Sequence, residues 1–309
     1  MGRIGTTPRR PLLSAVFISP TEPRLRAGWR LALQVVLQQV LVVVVGLILV
    51  AGFRREFSAQ MGAFSTTQVI LSLIGELIAI TLSVFAARRL LDRRSFVSLG
   101  LEAHPAALVH FAAGVGITLV MMGLIFALES ALGWLRITGF AWHTEPMANV
   151  AGSVAIFVLI CVLVGWNEEL MSRGYHLQTL ASGLTLAWGW ILSSAVFALL
   201  HLANPHASWM AVGGIVLAGL FLGYAYIRTG QLWLAMGLHT GWNFFEGVVF
   251  GFPVSGLPFY RLTRTTISGP DLWTGGEFGP EAGLILIPAI ILGFALVHVF
   301  TRKRAAGGR

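Results

Sequence analysis

Eight stretches of the sequence are apolar and about long enough to cross a lipid bilayer, and no other feature constrains the fold as strongly. They cover residues 31–52, 67–87, 106–128, 149–170, 185–203, 208–227, 231–251 and 283–300. A transmembrane helix needs about 20 mostly apolar residues. Charged residues are 11% of the chain, whereas soluble domains carry about 25%. The stretches lack the alternation of barrel strands, so the sequence predicts an all-α, polytopic membrane protein.

The basic residues predict how these helices are oriented. If both termini are cytoplasmic, the cytoplasmic segments hold 16 Arg and Lys residues and the opposite segments hold five. The excess of basic residues on one side indicates a bundle of about eight transmembrane helices with both termini cytoplasmic. Because the arginines flank the spans, the net charge of +8 is interpreted as a topology signal, and nucleic acid is not expected as a partner. The bias toward Arg, Ala and Gly favours a bacterial cytoplasmic membrane.

Ionisable residues inside apolar stretches are costly, about 2.5–3.5 kcal/mol each on insertion scales, and therefore mark candidate sites. Glu168, Glu169 and Arg173 lie at the end of the fourth stretch. Glu169 and Arg173 are spaced i and i+4, the favourable order for an ion pair on a helix. Glu168 points elsewhere and lacks a helical partner, which suits a general base. The alternative is that both glutamates lie at a wet membrane boundary without a role.

A histidine in the fifth stretch, His201, is predicted to lie level with Glu168. The turn between the two stretches falls near residues 182–184, about 15 residues after Glu168 and about 18 before His201. In an antiparallel helix hairpin, these positions come within roughly one turn of each other. A carboxylate and an imidazole at one depth are a credible pair for activating water. A single helical histidine is otherwise a structural residue.

The seventh stretch holds His239 and Asn243, which are spaced i and i+4 and so share one helix face. Together they could hold a metal ion, donate hydrogen bonds to an oxyanion, or form a structural hydrogen bond between helices. Glu246 follows on the same face. The sequence assigns no role to Glu246, nor to Glu76 in the second stretch.

Together the clusters resemble the CPBP family, which includes the CAAX prenyl endoproteases and the bacterial Abi proteins. The motifs are Glu168-Glu169-x-x-x-Arg173, Phe197-x-x-x-His201 and His239-x-x-x-Asn243, intact and in order within 76 residues. Weaker similarity extends to residues 94–101 and 276–281. The resemblance implies an intramembrane endopeptidase, and its eukaryotic members remove the last three residues after a prenylated cysteine.

The resemblance also implies a role for each site residue. Glu168 would activate the attacking water, which His201 would hold from the other side. His239 and Asn243 would stabilise the oxyanion, while Glu169 and Arg173 would shape and neutralise the site. Glu168, His201 and His239 could also hold Zn²⁺. The metal requirement is open within the family, and no organic cofactor is expected.

Two other functions are compatible with parts of this pattern. An ion-coupled transporter could relay ions through Glu168, His201, His239 and Glu246, but it predicts a repeat symmetry that the sequence lacks. A non-enzymatic membrane partner, such as an immunity or sensor-tethering protein, predicts eroded motifs. The sequence therefore favours an endopeptidase acting on a membrane-associated or lipidated peptide or protein. It specifies neither the substrate nor the oligomeric state.

The predicted organisation has four parts. Residues 1–27 form a flexible basic tail, and residues 28–148 hold the first three transmembrane helices. Residues 149–251 form the catalytic core of helices four to seven. Residues 252–309 hold a long loop, the eighth helix and a basic tail.

Overall fold

Six helices in the described part of the chain are long and apolar enough to cross a membrane, and they coincide with the first six predicted spans. This computed structural model describes residues 16–20, 22–58 and 65–305, with side chains up to residue 302. The all-α polytopic membrane fold is confirmed. The helices are α1 Ala27–Gly52, α2 Arg54–Ser58, α3 Thr66–Ala86, α4 Pro105–Ala131, α5 Met147–Glu169, α6 Gln178–Gly183, α7 Leu186–Leu200, α8 Trp209–Thr229, α9 Trp233–Asn243, α10 Asp271–Thr274 and α11 Leu286–Ala305.

The seventh and eighth predicted spans are helical, but among the described residues neither forms an apolar helix of 18 residues or more, as the other six do. Residues Leu234–Asn243 of α9 are all buried, so this helix is enclosed by its neighbours. The apolar part of α11 covers Leu286–Arg302. The total of eight spans and the cytoplasmic position of both termini stay predictions.

The fourth span is longer than its apolar stretch predicts. From α5 the helix continues through a π-helical segment, Leu170–Leu177, into α6, so that one continuous helix covers Met147–Gly183. The chain then reverses, close to the predicted turn, and Thr185 caps the start of α7. The wider π-helical turns occur frequently at functional sites, and here they hold Arg173.

The backbones of α9 and α4 are in close contact, which holds α9 in the centre of the bundle. A Cβ atom at Gly237 would lie 2.1 Å from the carbonyl oxygen of Phe111 in α4, and one at Gly114 would lie 2.5 Å from the backbone nitrogen of Leu238. Only glycine permits this approach. The contact fixes the depth at which α9 presents His239.

Part of the region predicted as a long loop after residue 251 forms secondary structure. Strand β2, Thr263–Ile267, pairs antiparallel with β1, Leu135–Phe140, and α10 follows. Phe252 and Phe278 are buried. The backbone nitrogen of Gly256 donates to the carbonyl oxygen of Phe278, which joins the two ends of this region. Strand β1 alternates apolar and polar residues from Leu135 to Thr138, but β2 has a single apolar residue, Ile267, so the pairing was not predictable from sequence.

Residues 1–27 were expected to form a flexible tail, but Arg24 within them is held against the helices, whereas residues 16–20 are largely exposed. Arg24 is buried and pairs with Asp92, where Arg30 of α1 and Arg88 also meet. We name Asp92 and these three arginines the Asp92 cluster. Residues 1–15 lie outside the described residues.

Candidate active site

The three motifs meet at the carboxylate of Glu168 on α5. Its Oε2 atom lies 3.8 Å from Nε2 of His201, just after α7, and 3.7 Å from Nε2 of His239 on α9. This oxygen is buried and has no hydrogen-bond partner among the described residues. The predicted level arrangement of Glu168 and His201 is therefore observed. His239 joins them from a third helix.

The second nitrogen of each imidazole ring is anchored, and this assigns the tautomer. Nδ1 of His201 lies 2.9 Å from the carbonyl oxygen of Phe197, and Nδ1 of His239 lies 2.8 Å from Oε1 of Glu169. A carbonyl oxygen and an ionised carboxylate can only accept, so each Nδ1 donates. In the neutral rings, both Nε2 atoms then present lone pairs toward Glu168. Three acceptors converge on one point, which suits a water molecule or a cation.

A fully buried ion pair supports this centre from behind. Nη1 of Arg173 donates to Oε1 of Glu169 at 2.6 Å, as the i, i+4 spacing predicts. Arg173 also donates to the carbonyl oxygen of Gly219 at 3.1 Å, and its guanidinium lies 4.3 Å from the ring centroid of Phe197. Because the same Glu169 oxygen binds His239, the pair holds that ring in position. The sequence offered no sign that Phe197 would contact Arg173.

A cavity of about 500 Å³ opens beside these groups. Glu168, His201, His239 and Asn243 line it, whereas Glu169 and Arg173 lie behind its wall. Asn243 is buried one helical turn beyond His239. The structure thus brings all six predicted site residues together, four at the cavity and two in support. Glu76 also lines the cavity.

Glu281 is a cavity residue that the sequence marked only as part of a weaker similarity. It precedes α11 and is 5% exposed. Trp242 donates to its Oε1 from Nε1 at 3.0 Å, and the Ser255 hydroxyl donates to Oε2. Burial raises the pKa of Glu281, while its hydrogen bond from Ser255 opposes this shift. The sequence feature that could have indicated Glu281 is its position directly before the apolar stretch of residues 283–300.

The donor types at the centre fit a zinc ion. Two neutral imidazole nitrogens and one carboxylate are ligands that zinc takes, and anchoring of Nδ1 is the usual support for such histidines. Within the described ranges, no group of three or more His, Cys, Asp or Glu side chains has the arrangement of a metal centre. Metal binding by Glu168, His201 and His239 therefore stays a prediction.

Comparison with protein families identifies the segment that holds this site. Residues 150–245 match the family model described as type II CAAX prenyl endopeptidase Rce1-like. This segment is similar to the CAAX-protease family. The match spans about a third of the chain, from α5 to just beyond α9, and includes all three motifs. It confirms the resemblance drawn from them. No curated protein matches the chain.

Proposed function

We propose that the chain is an intramembrane endopeptidase that hydrolyses a peptide bond of a membrane-associated or lipidated peptide or protein. One observation carries the proposal: Glu168 Oε2 lies within 3.8 Å of the Nε2 atoms of His201 and His239. Both Nε2 atoms are acceptors in the neutral rings, because each Nδ1 donates a hydrogen bond. Hydrolysis requires a water molecule held beside a group that removes its proton. The family match supports the same reaction class at the level of the family.

The proposed reaction begins with a water molecule held between Glu168 and His201. Glu168 removes one proton while the water oxygen attacks the carbonyl carbon of the peptide bond. The tetrahedral intermediate then collapses, and Glu168 returns the proton to the departing amine. The products are a carboxylic acid and an amine, because one water proton reaches the amine and the hydroxyl stays on the carbonyl carbon. Transfer of that remaining proton from the acid to the amine gives a carboxylate and an ammonium group.

His239 and Asn243 would stabilise the oxyanion of that intermediate. Asn243 can donate from its amide nitrogen. His239 can donate from Nε2 only if the ring carries a second proton, because Nδ1 already donates to Glu169. The neutral ring is an acceptor before the reaction and would become a donor only on gaining a proton during it. The Glu169 carboxylate, held by Arg173, would then lie beside that charge.

A divalent cation held by Glu168, His201 and His239 would instead supply Lewis-acid polarisation of the water and the substrate carbonyl. The side chains of this chain would keep the same positions in either case. Treatment of the purified protein with a chelator distinguishes the two chemistries, because only the metal-dependent one loses turnover.

The test is cleavage by detergent-purified protein of a fluorogenic prenylated CAAX peptide and of a mixed hydrophobic peptide library. Glu168→Ala and His201→Ala are assayed beside the wild type, each with and without chelator. Turnover that disappears in both variants supports the proposal. A folded wild type that cuts nothing contradicts it and favours a non-enzymatic partner. Equal cutting by wild type and variants would show that the site is misassigned.

A further inference from the structure

A chain of hydrogen bonds runs along the cavity wall and joins the two segments that carry the histidines. The backbone nitrogen of Asn204 donates to the carbonyl oxygen of His201 at 3.1 Å, and Nδ2 of Asn204 donates to the carbonyl oxygen of Ser255 at 3.0 Å. The Ser255 hydroxyl donates to Oε2 of Glu281, and Nε1 of Trp242 on α9 donates to Oε1 of Glu281 at 3.0 Å. We name Asn204, Ser255, Glu281 and Trp242 the Glu281 bridge. All four residues line the cavity.

The bridge supports a segment of the centre that lies outside an α-helix. Helix α7 ends at Leu200, and His201 begins a single 3₁₀ turn that ends at Ala203. The hydrogen bonds of a 3₁₀ turn have poorer geometry than those of an α-helix. Nε2 of His201 faces Glu168 only while this turn keeps its place. Asn204 follows the turn directly, so its bond to Ser255 holds the turn from outside.

The backbone at Ser255 is strained, which indicates that its contacts determine its position. Ser255 has a φ of 48°, a value that serine rarely adopts, and Gly256 follows with a φ of 77°. Ser255 is 8% exposed. The backbone nitrogen of Gly256 donates to the carbonyl oxygen of Phe278 at 2.9 Å. Strain of this kind persists only where the surroundings enforce it, and it is concentrated at active sites.

Glu281 is the centre of the bridge because its two oxygens bind different segments. Oε1 accepts from α9 through Trp242, and Oε2 accepts from the turn through Ser255. A neutral carboxyl group can keep both contacts, because its own proton on Oε2 can be donated to the Ser255 hydroxyl. The contacts therefore do not depend on the charge of Glu281.

We propose that Glu281 is a positioning residue, which keeps His201 and His239 at the separation at which both Nε2 atoms face Glu168. The inference rests on the proposed endopeptidase function and adds a residue to its site. Glu281 acts through the bridge and does not exchange a proton with the substrate.

The experiment measures kcat and KM on one fluorogenic peptide, normalised to the folded fraction. Glu281→Met has a side chain of similar length and removes both contacts. Glu281→Gln keeps them, because the amide oxygen accepts from Trp242 and the amide nitrogen donates to the Ser255 hydroxyl. Ser255→Gly removes that hydroxyl and adopts the left-handed backbone without strain. Glu277→Met is the matched control, because Glu277 lies on the same segment and its side chain is 81% exposed.

We expect Glu281→Met and Ser255→Gly each to lower kcat by about tenfold, with KM within about twofold of the wild type. The double variant should also lose about tenfold, whereas independent effects would multiply to about 100-fold. Glu281→Gln should restore kcat to within about threefold of the wild type, and Glu277→Met should match the wild type. If Glu281→Met does not fold, Ser255→Gly carries the test, because its turn is less strained.

Three results overturn the inference and leave the endopeptidase proposal standing. Full turnover per folded molecule in Ser255→Gly and Glu281→Met would show that the bridge only stabilises the fold. A loss in Glu281→Gln as large as that in Glu281→Met would show that the carboxyl group itself takes part in the chemistry. A loss of about 100-fold in the double variant would show that the two residues act separately. If the wild type cleaves no peptide, the endopeptidase proposal fails and the inference fails with it.

Discussion

Two carboxylates, those of Asp92 and Glu168, have opposite surroundings. Asp92 is fully buried and meets three arginines, with Nη1 of Arg24 at 3.4 Å, Nη1 of Arg88 at 3.3 Å, and Arg30 in direct contact. The side chain of Glu168 is 29% exposed, and the Nε2 atoms of two histidines lie 3.7 and 3.8 Å from its Oε2 atom. Every neighbour of Asp92 is a donor, whereas the ring nitrogens that face Glu168 are acceptors.

The difference separates a structural ion cluster from the proposed reactive centre. The Asp92 cluster joins the N-terminal segment, α1 and the end of α3, and Arg30 extends it to Ser182 in α6 through a 2.6 Å hydrogen bond. A carboxylate surrounded by donors has no lone pair left for a substrate. Glu168 keeps its lone pairs for a proton. Each of the following changes tests one side of this contrast, and the largest expected effect comes first.

The largest effect is expected at the reactive centre. Glu168→Gln keeps the shape of the side chain but removes the base, so we expect peptide turnover to fall by about 10⁴-fold. The unfolding midpoint in detergent should stay close to that of the wild type, because Oε2 makes no hydrogen bond to another described residue. Turnover on a fluorogenic peptide and thermal unfolding together check this.

Asp92→Asn should reverse that pattern. It leaves three buried guanidinium groups without a carboxylate, and breaking such a cluster costs about 3 kcal/mol of the free energy of unfolding. Turnover per folded molecule should be close to that of the wild type. The measurement is unfolding by heat or denaturant in detergent, with activity normalised to the folded fraction. An unchanged midpoint would show that the cluster does not join these segments.

Asn243→Ala tests the oxyanion contact and should have an intermediate effect. Loss of one donor to the oxyanion lowers kcat by about 10²-fold, with a much smaller change in KM. Steady-state kinetics on one peptide substrate separates the two constants. An increase in KM at constant kcat would place Asn243 in substrate binding rather than in stabilisation of the transition state.

Arg94→Ala should have the smallest effect and serves as the control for Asp92→Asn. Arg94 pairs with Glu22 at 3.6 Å at the rim of the Asp92 cluster, and the two side chains are 51% and 41% exposed. Exposed pairs of this kind contribute little, so the free energy of unfolding should change by less than about 0.5 kcal/mol. If Arg94→Ala lowered the free energy of unfolding as much as Asp92→Asn, burial at the centre of the cluster would not be what makes an ion pair stabilising.

Several parts of the fold and the site were predictable because they depend on local spacing. The first six predicted spans followed from the length of the apolar stretches, and the Glu169–Arg173 pair followed from the i, i+4 spacing. The approach of Glu168 to His201 followed from counting residues on either side of one turn. Hairpin geometry carries such information because rise per residue is constant along a helix.

Other contacts could not be predicted because they join distant segments. Glu281 reaches the cavity through a region expected to be a loop, and Arg24 reaches Asp92 from a segment expected to be a tail. The burial of α9 depends on glycines at 114 and 237 in two separate helices. Periodicity within one segment says nothing about which other segment will cover it.

We propose that Glu168 performs the chemistry and that Asp92 maintains the fold. The most direct test measures turnover and thermal unfolding on the same reconstituted preparations of wild type, Glu168→Gln and Asp92→Asn, with mass spectrometry of the peptide products. The account predicts a stable, inactive Glu168→Gln and a less stable Asp92→Asn that still cleaves the same bond. Cleavage of that bond by Glu168→Gln at the wild-type rate would contradict it.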